Sequence, residues 1–492
     1  MMVVLHRARA RSTHLGIGDD VLRNVGRALA QTHARTHGEF GFGFGIERAI
    51  DRMNASRCVE SSRSDACAGM GWDARDSCVR ACVHSSTRMV TMTDIGRTCG
   101  RAFERDVVVV VRGRGRGREV RTRVAGTSSG TSSFESESAR VVYATSRALD
   151  HACEGHPESN ARVPAIEEAL TRNGLTPETR EGELVEIVGF ASATTTALEG
   201  VHAKNYARGL ELACARNAPM HLDSAPTYCT ESSYRDVMYG VGAATALVDE
   251  VIARGGDGED APSGFGLIRP PGHHAVPRGP MGFCLVGTAA AAAKHAQKKG
   301  FQKILIFDYD VHHGNGTNDI FHDDPSVLFA STHEDGSYPG TGKMTDMGEG
   351  DGLGATINIP LPPGSGDKAV LSALEEIVAP AAARFQPDFI IVSAGYDAHW
   401  RDPLAGLTFR TGTYHRLCSK LKEMANELCG GRIVFLLEGG YDLVGLSEGV
   451  SDSFRALLGD ASTDVGDIPG LRDEPEDKVR KVLEEVKALH QI

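Results

Sequence analysis

The chain has 492 residues, 41% hydrophobic and 24% charged, with a formal net charge of −12. That length exceeds the roughly 300 residues at which single cores stop growing, so an enzyme-sized domain with added material is expected. No apolar run approaches the roughly 18 residues of a membrane-spanning helix. The 11 cysteines form no C-x-x-C pair, which argues against a zinc finger or a disulfide scaffold and for a reducing compartment.

Two kinds of sequence are joined. Residues 1–140 hold 23 Arg, no Lys and 15 acidic residues, which leaves 30 basic against 50 acidic of the chain's 53 and 65 for the remainder. The Arg- and Ser-rich start, with no acid before Asp19, reads as a mitochondrial or plastid transit peptide, or else as an unstructured tail of a cytoplasmic or nuclear protein. RGRGRGR at 112–118 lacks the interleaved aromatics of a committed nucleic-acid binder. It reads as a solvated segment, and no sequence-specific nucleic-acid contact and no membrane partner are expected. GTSSGTSSFESES at 126–138 is a linker by composition.

From residue 141 the pattern changes. VVYATS suggests a strand, and HPESNARVPAIEEALTRNG a loop followed by an amphipathic helix ending at Gly174. Further on, the β-branched runs GFGLIRP, KILIFDY, SVLFAS, ATINIP, DFIIVS and RIVFLLE alternate with the helical stretches GTAAAAAKHAQKK and LSALEEIVAPAAARF. Strands alternating with helices predict βαβ units and a mostly parallel sheet. Continuous apolar strands predict helices on both faces. The expected organisation is a low-complexity extension over 1–140, a catalytic domain over 141–460 and a C-terminal helical tail over 461–492.

In such sheets ligands bind beyond the carboxyl ends of the strands. Here GLI runs into RPPGHHA, ILIF into DYDVHHGNG, VLFA into STHEDGSYPGTG, FIIV into SAGYDAHWRDPLAG and VFLL into EGGYD. Five polar loops therefore converge. Asp310 and His312 stand two apart in an extended segment, which turns both side chains one way. With Asp397 they offer one imidazole and two carboxylates. Three protein ligands with a position left for water match a catalytic zinc, and the same donors accept Fe(II) or Co(II). His273 and His274 beside such a metal read as a proton-transfer pair, with Asp308 and Asn315 as candidate partners for the rings. Tyr441 after two glycines could donate to an oxyanion. Phe283 and Tyr338, in Gly- and Pro-rich loops, could wall a channel or simply anchor those loops.

Together RPPGHHA, GFC, DYDVHHGNGT, PGTG, SAGYDAHWRDPLAG and EGGYD resemble the zinc-dependent histone deacetylase family, which includes acetylpolyamine amidohydrolases. HPESNARV is similar to the family's N-terminal signature. The resemblance implies the three-layer α/β arginase-like fold, with a central mostly parallel sheet and helices on both faces. It implies Asp310, His312 and Asp397 as zinc ligands, His273 and His274 as the tandem histidines with His274 as base and acid, and Tyr441 as oxyanion donor. It further implies Phe283 and Tyr338 as tunnel walls, Gly272 and Gly440 as backbone positions near the acetyl group, and Asp223 as a rim carboxylate. A potassium ion would sit among Asp308, Asp310, His312, Ser331 and Thr332. Asn315 stands where class I members carry Asp, which points to the class II or bacterial-like side. Leu404 stands where polyamine-selective members carry an acid. The wording most resembles a plant and algal branch with organellar members. The expected reaction is hydrolysis of acetyl-lysine in proteins, with a small acetylated amine as alternative substrate and an inactive binding platform as a third reading. Nothing in the chain specifies an oligomeric state.

Overall fold

A computed structural model describes residues 139–492, apart from 225, 256–260, 465, 467 and 469. The Arg-rich segment, RGRGRGR and the Gly/Ser linker lie outside the described residues.

Among the described residues, ten strands and ten α-helices follow one another. The strands are β1 (Val141–Ser146), β2 (Leu184–Glu186), β3 (Met220–His221), β4 (Tyr228–Cys229), β5 (Ser263–Ile268), β6 (Ile304–Asp308), β7 (Val327–Glu334), β8 (Thr356–Leu361), β9 (Phe389–Ala394) and β10 (Ile433–Leu437). The helices are α1 (Arg162–Arg172), α2 (Tyr206–Asn217), α3 (Ser233–Arg254), α4 (Thr288–Lys298), α5 (Asn315–Phe321), α6 (Asp367–Ala373), α7 (Ala379–Phe385), α8 (Thr411–Cys429), α9 (Leu443–Leu458) and α10 (Glu476–His490). Eight strands form one sheet in the order β2-β1-β5-β10-β9-β6-β7-β8, and β3-β4 is a separate ribbon. Every pair in the large sheet is parallel.

Parallel strands need crossovers, and the helices that make them cover both faces. Alternate residues of each strand accordingly enter different cores. Val141, Tyr143, Leu305 and Phe307 pack with α1 and α6–α10, whereas Val142, Ala144, Ile304 and Ile306 pack with α2–α4. The alanine run of α4 suits this place, because alanine has the best helix propensity and its small side chains let a helix lie close to the sheet. LSALEEIVAPAAARF, expected as one helix, is instead α6, a π-turn over Leu374–Val378, and α7. Pro380 lies in the first turn of α7. A proline there has no N–H to give to the preceding turn, and the widened turn absorbs the mismatch. The segment after 460 ends in α10, whose Val479, Leu483 and Val486 are buried in the first core beside Ile359 and Leu361 of β8.

β5, β10, β9 and β6 lie side by side at the centre of the sheet. Their carboxyl ends deliver Arg269–His274, Glu438–Tyr441, Gly395–Asp397 and Asp308–His312 to one place.

Candidate active site

The last residue of β6 is Asp308, and the chain leaves the sheet through Tyr309, Asp310, Val311 and His312. Asp310 and Asp397 are 0% and 1% exposed. His312 Nδ1 lies 3.3 Å from Asp310 Oδ1 and 3.2 Å from Asp397 Oδ2. The remaining carboxylate oxygens are held by main-chain donors: Gly439 N–H donates to Asp310 Oδ2 at 2.8 Å, and Val311 N–H donates to Asp397 Oδ1 at 2.9 Å. Donor atoms of all three residues lie within 4.8 Å of one another. The glycine at 439 is required here, since a Cβ would run into Asp397 Oδ2 and stand 2.6 Å from Asp310 Oδ2.

The electrostatics fit a dication. Two buried carboxylates face each other, and burial together with the neighbouring Asp310 charge lifts Asp397 to about 7. Burial opposes the charge of His312, yet hydrogen bonds to Asp310 and Asp397 and their field outweigh it and hold the imidazole up to about 10. Asp310 is also buried, but the field of His273 and its contacts with His312 keep its carboxyl well below the usual range. The trio thus draws a positive charge into its centre, and without a metal a proton on His312 supplies it. A divalent ion that displaces this proton meets two carboxylates and a neutral imidazole, the donor set of an open catalytic site.

A second group, His273, Cys284 and Glu438, also has donor atoms within 4.8 Å, but its donors are already engaged. Glu438 Oε2 accepts from Gly272 and His273 N–H, and Oε1 from the Ser393 hydroxyl. Burial pushes the Cys284 thiol well up, so it stays protonated, which suits a packed thiol and not a ligand.

The tandem histidines leave β5 on Arg269-Pro-Pro-Gly. His273 Nδ1 lies 3.0 Å from Asp308 Oδ2 and His274 Nδ1 lies 2.7 Å from Asn315 Oδ1. Both partners accept, so Nδ1 carries hydrogen in each ring and the lone pair of a neutral His274 is on Nε2. Burial drives both imidazoles toward neutrality. For His274 the adjacent His273 and His312 add to that, so it is held well below the usual range. For His273 the charges of Asp310 and Asp308 overcome it, and the ring is held well above. The surroundings thus push the two adjacent rings in opposite directions.

Tyr441 is partly exposed, with its ring centroid 5.6 Å from Phe283 and perpendicular to it. Its main-chain N–H donates to Asp402 Oδ2 at 2.7 Å. The Arg162 guanidinium lies over the ring, 5.1 Å from its centroid. Burial raises the phenol well above its normal range, which keeps its proton available for donation. Tyr338 places its ring centroid 5.1 Å from that of His274 and 6.1 Å from that of His312. Tyr338 thus stands beside His274 and His312, while Phe283 and Tyr441 face each other edge to face. Phe283 adopts φ +70°, and its N–H donates to Thr227 Oγ1 at 2.9 Å. Asp223 accepts from Thr227 N–H and Oγ1 and, at 3.3 Å, from Gly282 N–H, which puts it beside the Phe283 turn. Leu404 is 39% exposed, and its N–H is held by Asp402. Gly272 N–H faces Glu438, and Gly440 C=O accepts from Arg162 Nε at 2.7 Å. Ser331 of β7 is the register partner of Asp308. Its hydroxyl meets His333 Nδ1 at 2.9 Å, while the Thr332 hydroxyl is buried without a partner.

One layer of the site was not anticipated from the sequence. Glu158, Arg162 and Arg269 form a fully buried ion-pair triad. Arg269 donates to Glu158 through Nε at 2.5 Å and Nη2 at 2.8 Å, and to the carbonyls of Arg147, Ala148 and His151. Arg162 donates to Glu158 and to the carbonyls of Glu438 and Gly440. The triad ties the 151–161 loop to both the tandem-histidine and Tyr441 loops. Its sequence signal was a Glu in HPES and Arg residues four and 111 positions on, each inside an otherwise readable motif.

The histone deacetylase domain profile matches residues 156–457. The chain is 53% identical over 359 residues to histone deacetylase 14, chloroplastic, of Arabidopsis thaliana, covering 72% of this chain and 85% of that protein. It is 49% identical over 361 residues to histone deacetylase 10, chloroplastic, of Oryza sativa subsp. japonica, covering 72% and 82%. The crystal structure of the HDA15 HD domain superposes with a TM-score of 0.62 at 33% identity, covering 72% of this chain and 94% of that one.

Proposed function

The chain belongs to the histone deacetylase family, hydrolases of acetylated amides, and on that footing we propose that it is a zinc-dependent protein lysine deacetylase of the plastid. The observation that carries this reading is the meeting of Asp310, His312 and Asp397, with the His274 ring 5.9 Å from that of His312 and Tyr441 two residues beyond Gly439, whose N–H holds Asp310.

Asp310, His312 and Asp397 would hold the zinc, which when bound polarises the acetyl carbonyl and acidifies water. His274 takes the proton of the attacking water on Nε2 while Asn315 holds Nδ1–H. Tyr441 Oη–H donates to the oxygen that becomes negative, a contribution of a few kcal/mol to the barrier. His274 then passes its proton to the departing lysine nitrogen. Water and acetamide become acetate and amine, and no side chain is acylated. His273, whose Nδ1 faces Asp308, is pushed toward its charged form, and its field favours a neutral His274. Phe283 and Tyr338 would flank the acyl-lysine stem, with Gly272 and Gly440 at its acetyl end. Asp223 and Leu404 would meet the substrate at the rim. A potassium ion would sit among Asp308, Asp310, His312, Ser331 and Thr332, strengthening the same loop.

Two observations favour a protein substrate. Residues 141–492 carry 30 basic and 50 acidic side chains, a balance that attracts cationic segments. Leu404 supplies no carboxylate for a polyamine. The plastid assignment joins the Arg-rich first 140 residues, read as a transit sequence, to relatives named chloroplastic; nothing favours the mitochondrial alternative. The deciding experiment compares turnover of acetyl-lysine peptides and small acetylated amines by the zinc-loaded full chain. Preference for peptides is expected. Turnover of small amines alone would transfer the site to the amidohydrolase reading, and inactivity on both would end the deacetylase account.

A further inference from the structure

Glu438 follows β10 directly and is 1% exposed. Its Oε2 accepts from two consecutive main-chain donors, Gly272 N–H at 2.6 Å and His273 N–H at 3.1 Å. Its Oε1 accepts from the Ser393 hydroxyl at 3.2 Å. Its own N–H donates to Ala394 C=O at 3.0 Å, and its C=O accepts from Arg162 Nη2 at 2.5 Å. One residue therefore touches the carboxyl ends of β5, β9 and β10. These lead to His273 and His274, to Asp397 and to Tyr441. The segment it holds is confined from behind as well. A Cβ on Gly272 would lie 2.7 Å from Thr288 N and 2.8 Å from Val286 O. Without an acceptor at Oε2, two adjacent buried N–H groups would be stranded, and the peptide carrying the tandem histidines would have to turn to satisfy them.

We propose that Glu438 is a positioning residue that fixes the Gly272–His273 main chain, so that His274 and Tyr441 address the same acetyl group. The role rests on the deacetylase reading. It is a matter of reach and acceptor geometry and not of charge. A glutamine keeps an oxygen for the two N–H donors and turns its NH2 to the Ser393 oxygen. An aspartate keeps the charge and falls one methylene short.

The test measures kcat, KM and zinc content for the full chain, Glu438→Gln and Glu438→Asp on an acetyl-lysine peptide, with amide hydrogen exchange at Gly272 and His273. The expected result is near wild-type turnover for the glutamine variant. The aspartate variant should lose about 10–100-fold in kcat, as expected for a misplacement on the order of 1 Å, with unchanged KM and zinc and faster exchange at both amides. An aspartate variant that works like wild type, or a glutamine variant that fails alongside it, overturns the proposal. Should the aspartate variant not fold, exchange in Glu438→Gln decides: protection retained is expected, and protection lost overturns it. An inactive wild type would end the deacetylase reading instead, while the exchange rates would still judge Glu438.

Discussion

Replacing Glu158 by glutamine tests how much of the fold depends on one buried charge. The side chains of Glu158, Arg162 and Arg269 are all fully buried. Glutamine preserves shape and one acceptor, but leaves two guanidinium groups facing a neutral amide. Breaking a buried ion pair from one side costs about 3–5 kcal/mol. A second route gives a similar figure. Burial alone would raise the Glu158 carboxyl, yet the charge of Arg269 and its hydrogen bonds, with Arg162 behind, hold it from 4.5 down to about 2. At about 1.4 kcal/mol per pH unit that depression stabilises the folded state by roughly 3 kcal/mol. Because the folded value lies below the unfolded one, this stability is present in full above pH 4.5 and is lost as pH falls toward 2. Urea denaturation followed by circular dichroism should therefore show Glu158→Gln about 3 kcal/mol less stable than wild type at pH 7, with the gap closing below pH 4.5. A variant within about 1 kcal/mol of wild type at pH 7, or a gap that stays constant through the acid limb, would refute the reasoning, since both estimates require a differential charge interaction.

Tyr441→Phe should lower kcat by about 10²–10³-fold, the usual effect of removing an oxyanion donor, with KM and zinc content unchanged; turnover close to wild type would remove Tyr441 from the chemistry. Zinc binding at pH 8 should release a proton, because His312 is held protonated up to about 10 by its carboxylate neighbours and must become neutral to ligate. Calorimetric titration in buffers of different ionisation enthalpy reads that proton, and a buffer-independent heat would contradict it. Gly439→Ala should fold but lose zinc, because its methyl group would occupy space between Asp310 and Asp397. Elemental analysis showing one zinc per chain in the variant would disprove that steric argument.

The parts of the site that follow strands in short range were legible in the sequence. Asp310 and His312 are two residues apart, and Asp308 and Asn315 stood out as candidate partners for the tandem histidines, although which ring each would hold (Asp308 with His273, Asn315 with His274) came only from the structure. Burial at a strand's end demands a partner, and few were on offer. The triad and the Glu438 brace were not legible for the opposite reason. Glu158 and Arg269 are 111 residues apart and Glu438 and Gly272 are 166 apart, so their meeting is decided by strand order, which periodicity does not encode. β10 lies between β5 and β9 although it is the last strand in sequence among the described residues. Pro380 was visible, but its effect on the helix around it depended on whether a π-turn would absorb it.

The burial of α10 against β8 has a consequence for the order of assembly. β8 is an edge strand, and Val479, Leu483 and Val486, which cover one of its faces, lie more than a hundred residues downstream. Contacts between such distant segments form late. Until that last helix docks, this apolar face of the edge strand lacks its cover, and a nascent chain is vulnerable there to proteases and to sticking.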